Sequence, residues 1–141
     1  MNPSAAARLL DTDTLSEIMK RRNAAILKQA QGYLVRHGAF TFSLITRYEI
    51  LRGLKARQAT RQLANFEQRC QQSHILPITD DIVVHAADLY AELRTGGRII
   101  SDADLFIAAT AMIQGLVLVS NNLDHFERIA GLQLESWAAE T

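Results

Sequence analysis

Two rhythms of apolar residues run through the chain. Short uninterrupted runs suit strands, and stretches with apolar residues three and four apart suit helices. Arg8 to Asp11, RLLD, is a run that ends in an acid and leads into TDTLSEIM, which predicts a brief buried strand whose carboxyl end opens into a helix. Asn23 to Arg36 carries Ile26, Leu27, Ala30, Tyr33 and Leu34 on one helical stripe, closed by His37 and Gly38. Ala39 to Ser43 reads as a second strand. Ser43 then caps a helix whose apolar positions are Leu44, Ile45, Tyr48, Leu51 and Leu54. A third strand runs from His74 to Ile78, with Pro77 at its end. Thr79, Asp80 and Asp81 open the next helix, which buries Ile82, Ala86, Leu89, Tyr90 and Leu93. Leu116 to Val119, LVLV, is apolar throughout and suits a central strand covered on both faces. A short helix from Asp124 to Ile129, Gly131, a last strand around Leu132 to Leu134 and a packed Trp137 complete the chain.

One helix departs from the amphipathic pattern. In GGRIISDADLFIAATA, from Gly96 to Ala111, two glycines suit a helix stop and a turn, and Ser101 stands three residues ahead of Asp104 in capping-box spacing. Leu105 to Ala109, with Ala111, Met112 and Ile113, are apolar almost all the way round, which predicts a helix buried in the core. Carboxylates at the mouth of such a helix need a reason, because an unpaired one near an apolar body tends to neutralise. Capping is one reason, and a bound metal is another. The order of strands and helices predicts a mainly parallel sheet between helical layers, in one domain spanning 1–141.

Composition narrows the function classes. The 141 residues hold 15 basic and 15 acidic side chains, a balance that argues against indiscriminate nucleic-acid binding while leaving room for local segregation of charge. Cys70 stands alone, which fits a reducing compartment. His37, His74, His85 and His125 lack the paired spacing of a zinc site. No stretch approaches transmembrane length and the opening MNPSAAARLL does not read as a signal peptide, so the expectation is a soluble cytoplasmic protein. From Lys55 to Arg69 the charges are mostly basic, a run that reads first as a solvated helix face and second as an edge for phosphates.

The acids recur at one kind of position. Asp11 follows the first strand, Glu49 lies on the helix after the second, Asp104 opens the buried helix and Asp124 follows LVLV, and such positions can converge on one sheet edge. For Glu49 a surface pairing with Arg52 competes with a place in the site. Asp102 and Asp104, two residues apart on a helix, diverge by roughly 200°. They share a site only if Asp102 precedes the helix; otherwise one of Asp102 and Asp104 is the ligand and the other a cap or supporting group. Several carboxylates held together require cations, and hard oxygen ligands suit Mg²⁺, with Mn²⁺ as an alternative, acting on phosphates.

These motifs also carry a resemblance. LLDTDTLS at 9–16, SLITRYEILRGL at 43–54, GGRIISDADLFIAATAM at 96–112 and LVLVSNNLDHFERIAGLQLESW at 116–137 together resemble PIN-domain ribonucleases, and among them the VapC toxins of bacterial toxin–antitoxin pairs. The resemblance implies an α/β fold, a PIN-like three-layer sandwich with a mainly parallel central sheet flanked by helices. It implies Mg²⁺-dependent hydrolysis of RNA phosphodiesters, with Asp11 and Asp104 as metal ligands and Glu49 completing the shell or orienting water. It implies a homodimer and a VapB-like antitoxin. The last motif departs from the pattern: His125 stands directly before Phe126 where relatives often have an acid, and Asp124 comes one place earlier. The fourth acidic position therefore stays open among Asp124, His125 and Asn122, while Ser120 and Asn122 match the small polar positions of the family. Two rivals differ in kind. DxDxT at 11–14 is also a haloacid-dehalogenase-like phosphatase pattern, with Asp11 as nucleophile and Asp13 as acid, although no lysine follows Lys55. The other rival is a PIN-like module that binds without cutting.

Overall fold

The computed structural model describes residues 7–138. Five parallel strands form one sheet in the order β3-β2-β1-β4-β5: β1 Arg8–Leu10, β2 Thr41–Ser43, β3 His74–Leu76, β4 Val117–Val119 and β5 Leu134–Glu135. The helices are α1 Thr12–Lys20, α2 Ala24–His37, α3 Leu44–Ala56, α4 Thr60–Gln71, α5 Asp80–Thr95, α6 Asp102–Gln114 and the short α7 Leu123–Phe126. The chain builds outward from β1 to β3, then returns to lay β4 against the other side of β1. That reversal opens a crevice at the carboxyl ends of β1 and β4, where ligands of open α/β sheets bind.

Side-chain alternation along the short strands explains the layers. Leu9 and Leu118 face one way, into a core completed by α5 and α6 with Ile82, Leu89, Ile107 and Ala108. Leu10, Phe42 and Val119 face the other way, against Ile26 and Tyr33 of α2, Leu15 of α1 and Phe66 of α4. With both faces covered, β4 is as apolar as LVLV requires. α6 is buried at Leu105 and from Ile107 to Ala111, as its unbroken apolar composition predicts. Among the described residues no helix is long and apolar enough to cross a membrane.

The structure corrects the sequence reading in several places. The basic run from Lys55 to Arg69 is not one solvated face, because a break at Arg57 to Ala59 separates α3 from α4. Gln58 there adopts a left-handed conformation, φ 54°, and the Ala59 N–H donates to Leu54 O at 2.9 Å. This is the bonding of a glycine-stopped helix without the glycine. Arg69 is half-buried and its guanidinium lies 5.5 Å from the Phe40 ring centre. Strand edges also move: β2 begins at Thr41, β3 stops at Leu76 ahead of Pro77, which has no N–H for the ladder, and β5 is Leu134–Glu135. The segment after α7 continues to Ile129 as turns.

Phe42 lies fully buried at the middle of β2, with its ring centre 6.4 Å from that of Phe66, and so joins the sheet to α4. Replacing it with alanine should cost about 3–5 kcal/mol, read as a lower urea midpoint at unchanged slope. A loss under about 1 kcal/mol would show that α4 is not anchored through this contact.

Candidate active site

Asp11 sits where β1 becomes α1. Its N–H donates to Val119 O at 3.0 Å, which carries the β1–β4 pairing one residue past the strand and brings it beside Ser120. Its carboxylate caps α1, accepting from the Thr14 N–H at 2.8 Å. The side chain is 4% exposed. Burial pushes its pKa up to about 6, although hydrogen bonds from Ser120 and Thr14 work the other way, and the Asp13 charge adds slightly to the rise. A buried carboxylate held this far from its ordinary value gains strongly from a neighbouring cation.

Glu49 reaches the same end of the sheet from α3. Ser43, the last residue of β2, caps that helix through Ile45 N at 3.0 Å and so fixes its starting turn. Thr12, the residue after Asp11, lies 2.6 Å from Glu49 Oε1 and 3.1 Å from the Thr46 hydroxyl. Each hydroxyl has one proton, so Thr12 donates to Glu49 and accepts from Thr46. Arg52 also approaches Glu49, at 3.7 Å, so the surface pairing that competed with a site role exists alongside it.

Asp104 enters from α6. Ser101 caps that helix by accepting from Asp104 N at 3.3 Å. α6 begins at Asp102, so Asp102 lies inside the helix and points away from Asp104 by the helical angle; it is exposed. His125 is the partner of Asp104, with Nε2 2.9 Å from Oδ2. Of the candidates for the fourth position, His125 is the one whose side chain contacts Asp104. Asp124, one residue earlier, is exposed and borders a shallow depression with Asn121, Asn122 and Ser136. Ser120 is fully buried, and its hydroxyl accepts from the Asn122 N–H at 2.9 Å, tying the turn after β4 to Asp11. The Asn122 side chain itself is exposed and makes no cap bond to α7.

Thr12 escaped the sequence reading, and His125 was named there only as one candidate for the open position, without its link to Asp104. Thr12 is hidden because a threonine at a helix start reads as ordinary; only the helix after β2 lying across α1 gives it a partner. His125 carried a signal, the substitution of imidazole for acid before Phe126, but its link to Asp104 is a tertiary fact. Asp13 is exposed in the first turn of α1 and has no hydrogen-bond partner among the described residues. It therefore stands as a helix-start acid.

The donors fit a hard divalent cation in kind: carboxylate and hydroxyl oxygens at adjoining strand ends, one carboxylate buried and raised in pKa. Among the described residues, no three side chains of His, Cys, Asp or Glu are gathered into a ready-made metal cluster. Each acid is instead held by its own partner: Asp11 by Thr14 and Ser120, Glu49 by Thr12, Asp104 by His125.

Comparison with known proteins identifies the family and the fold. The PIN domain model matches residues 8–132. The chain is 35% identical over 130 residues to ribonuclease VapC2 of Haemophilus influenzae, covering 92% of this chain and 96% of that one. It is 31% identical over 130 residues to the tRNA(fMet)-specific endonuclease VapC of Salmonella typhimurium, with the same coverage of 92% and 96%. The crystal structure of DNA-bound VapBC from Salmonella typhimurium superposes with a TM-score of 0.83 at 31% identity, over 94% of this chain and 98% of that one. The phosphatase alternative is overturned by this match and by the position of Asp13. The chain belongs to the PIN-domain family, among the VapC ribonucleases.

Proposed function

We propose that this chain is a Mg²⁺-dependent endoribonuclease toxin, acting in the cytoplasm and restrained by a VapB-like antitoxin. The observation that carries the reading is that Asp11 follows β1, Glu49 is tied to the neighbouring Thr12, and Asp104 is tied to His125 after β4, so that each acid stands toward the carboxyl ends of the strands in a chain of VapC type. Asp11 and Asp104 hold the metal, with Mn²⁺ as an alternative, and Glu49 orients water or completes the shell. When bound, the metal supplies a water of lowered pKa and positive charge against the phosphoryl oxygens. Thr12 fixes the Glu49 carboxylate, Ser120 positions Asp11, and His125 holds Asp104. The antitoxin assignment draws on the VapBC complex of Salmonella typhimurium, which shares the fold at 31% identity. A homodimer belongs to the same reading; Leu44 and Tyr48, one turn apart on α3, are 46% and 57% exposed and offer apolar surface for it.

The deciding experiment is cleavage of total cellular RNA by the purified chain, freed of any antitoxin, with Mg²⁺, with EDTA, and with Asp104→Asn. Discrete fragments in Mg²⁺ alone are expected, and the variant should lose about 100-fold or more of the rate. Binding of RNA or of metal with no cutting under any of these conditions would favour the module that binds without cutting.

The buried carboxylate gives a second test. Its pKa rises from 3.8 to about 6 on folding, so the folded chain holds the proton more tightly than the unfolded chain. Its ionisation therefore removes stability as the pH climbs from about 4 to about 6, and the loss is complete above that window. Asp11→Asn keeps the cap and is always neutral. It should be more stable than wild type near pH 7.5 by up to about 3 kcal/mol, and no more stable near pH 4. Mg²⁺ should raise the melting temperature of wild type near pH 7.5, do so less near pH 5, and leave the variant unmoved. Equal stability of the two proteins across this range, with no effect of Mg²⁺ on either, would count against Asp11 as a metal ligand.

A further inference from the structure

Between α1, α3 and α4 lies a cavity of about 1000 Å³, and of the three acids Glu49 lines it while Asp11 and Asp104 do not. Thr12 and Glu49 stand at one end. Lys20, Arg21, Arg57 and Arg69 line the remainder, and among the described residues none of these four is ion-paired with a carboxylate. α3 itself grades from acid to base: Glu49, Gly53 and Arg57 are successive turns of one face. The Arg57 guanidinium lies along the glycine, 3.6 Å from where a Cβ on Gly53 would stand.

Two of these cations are held in ways that ordinary surface arginines are not. Arg69 is half-buried with its guanidinium over Phe40, and burial followed by the Arg21 charge lowers its pKa. Two guanidiniums brought within electrostatic reach, one of them partly desolvated and neither with an acid, form a site that gains from an anion. Arg21 also occupies a left-handed backbone position, φ 56°, as the cap of α1, where glycine would be unstrained. The chain keeps a charged side chain there at a cost in backbone energy.

We propose that this cavity is an RNA-backbone subsite, in which Arg21 and Arg69 bind phosphates flanking the scissile one. The inference rests on the ribonuclease reading. An RNA with one phosphate at the acids must send its next phosphates elsewhere, and the unpaired guanidiniums along the adjoining cavity are where they go. The α4 wall, which also carries Arg69, suits a polynucleotide: Gln62, Asn65 and Gln68, with Gln72 at the C-cap, form a ladder of amides able to donate and accept with sugars and base edges.

The test uses the full chain and a fluorescein-labelled single-stranded RNA of mixed sequence. Anisotropy is followed through a KCl titration in EDTA, and cleavage of the same RNA is assayed separately in Mg²⁺. Arg69→Gln and Arg21→Gly should each weaken binding several-fold and flatten the dependence of log K on log[KCl] by about 0.7. Arg21→Gly should at the same time melt at the wild-type temperature or up to about 4 °C higher, because it relieves the strained cap. Loss of binding without loss of stability is a result that a purely structural arginine does not give. Arg94→Gln on α5, in the opposite helical layer, should leave the salt dependence unchanged. The proposal is overturned if both folded cavity variants keep the wild-type affinity and slope, whether or not they bind an antitoxin tail less well, or if the wild type binds no RNA. Cleavage with an unchanged slope would leave the ribonuclease reading standing and remove the subsite. Arginine-dependent binding without cleavage would do the reverse.

Discussion

The desolvation of Asp11 is the constraint on which the site depends. A carboxylate at the end of a central strand, covered by helices on both faces of the sheet, is a costly group to ionise, and the fold surrounds it with compensation. The Thr14 N–H, the start of α1 and the buried Ser120 hydroxyl all favour the charged form without cancelling the cost of burial. What is left over is a carboxylate that holds its proton more tightly than an exposed one does. The same residue caps α1 and continues the β1–β4 ladder, so fold and chemistry share one side chain.

Strand order turns this local tension into a functional edge. Because the chain reverses direction across the sheet between β1 and β4, no helix fills the crevice above their carboxyl ends. Asp11 and Ser120 flank that crevice, α3 brings Glu49 from the β2 side, and α6 brings Asp104 from behind. Ordinary capping sets each approach: Ser43 fixes the start of α3 and Ser101 the start of α6. Capping and metal binding compete as explanations of acids when only the sequence is read, yet the cap that Asp11 makes to Thr14 does not exclude the metal role proposed for it.

This explains which features were legible beforehand. Elements announced by apolar periodicity or by a capping residue could be read: β1, β4, the buried α6 and the parallel character of the sheet. The α3–α4 break was not, because Gln58 supplies a left-handed turn that glycine usually signals. The acids could be named because carboxylates at strand ends and helix starts are a local pattern. Their partners could not, since Thr12 to Glu49 and His125 to Asp104 join residues 37 and 21 positions apart. The place of Asp124 shows the same limit. Next to the right residue in sequence, it faces a different depression, since one step along a helix turns a side chain by roughly 100°.

Charge balance also reads differently in three dimensions. Fifteen basic and fifteen acidic residues give a net charge of zero, which from composition alone speaks against a polyanion partner. In the fold, Asp13 and Glu49 line the same cavity as Arg21, Arg57 and Arg69, which among the described residues have no ion-pair partner. A uniformly basic surface would bind any nucleic acid, and a uniformly acidic one would repel it. Segregation within one cavity allows the backbone to be held by cations while the phosphate at the acids approaches only with its charge offset. The local gradient along α3, from Glu49 to Arg57, is therefore more informative about the partner than the net charge of the whole chain.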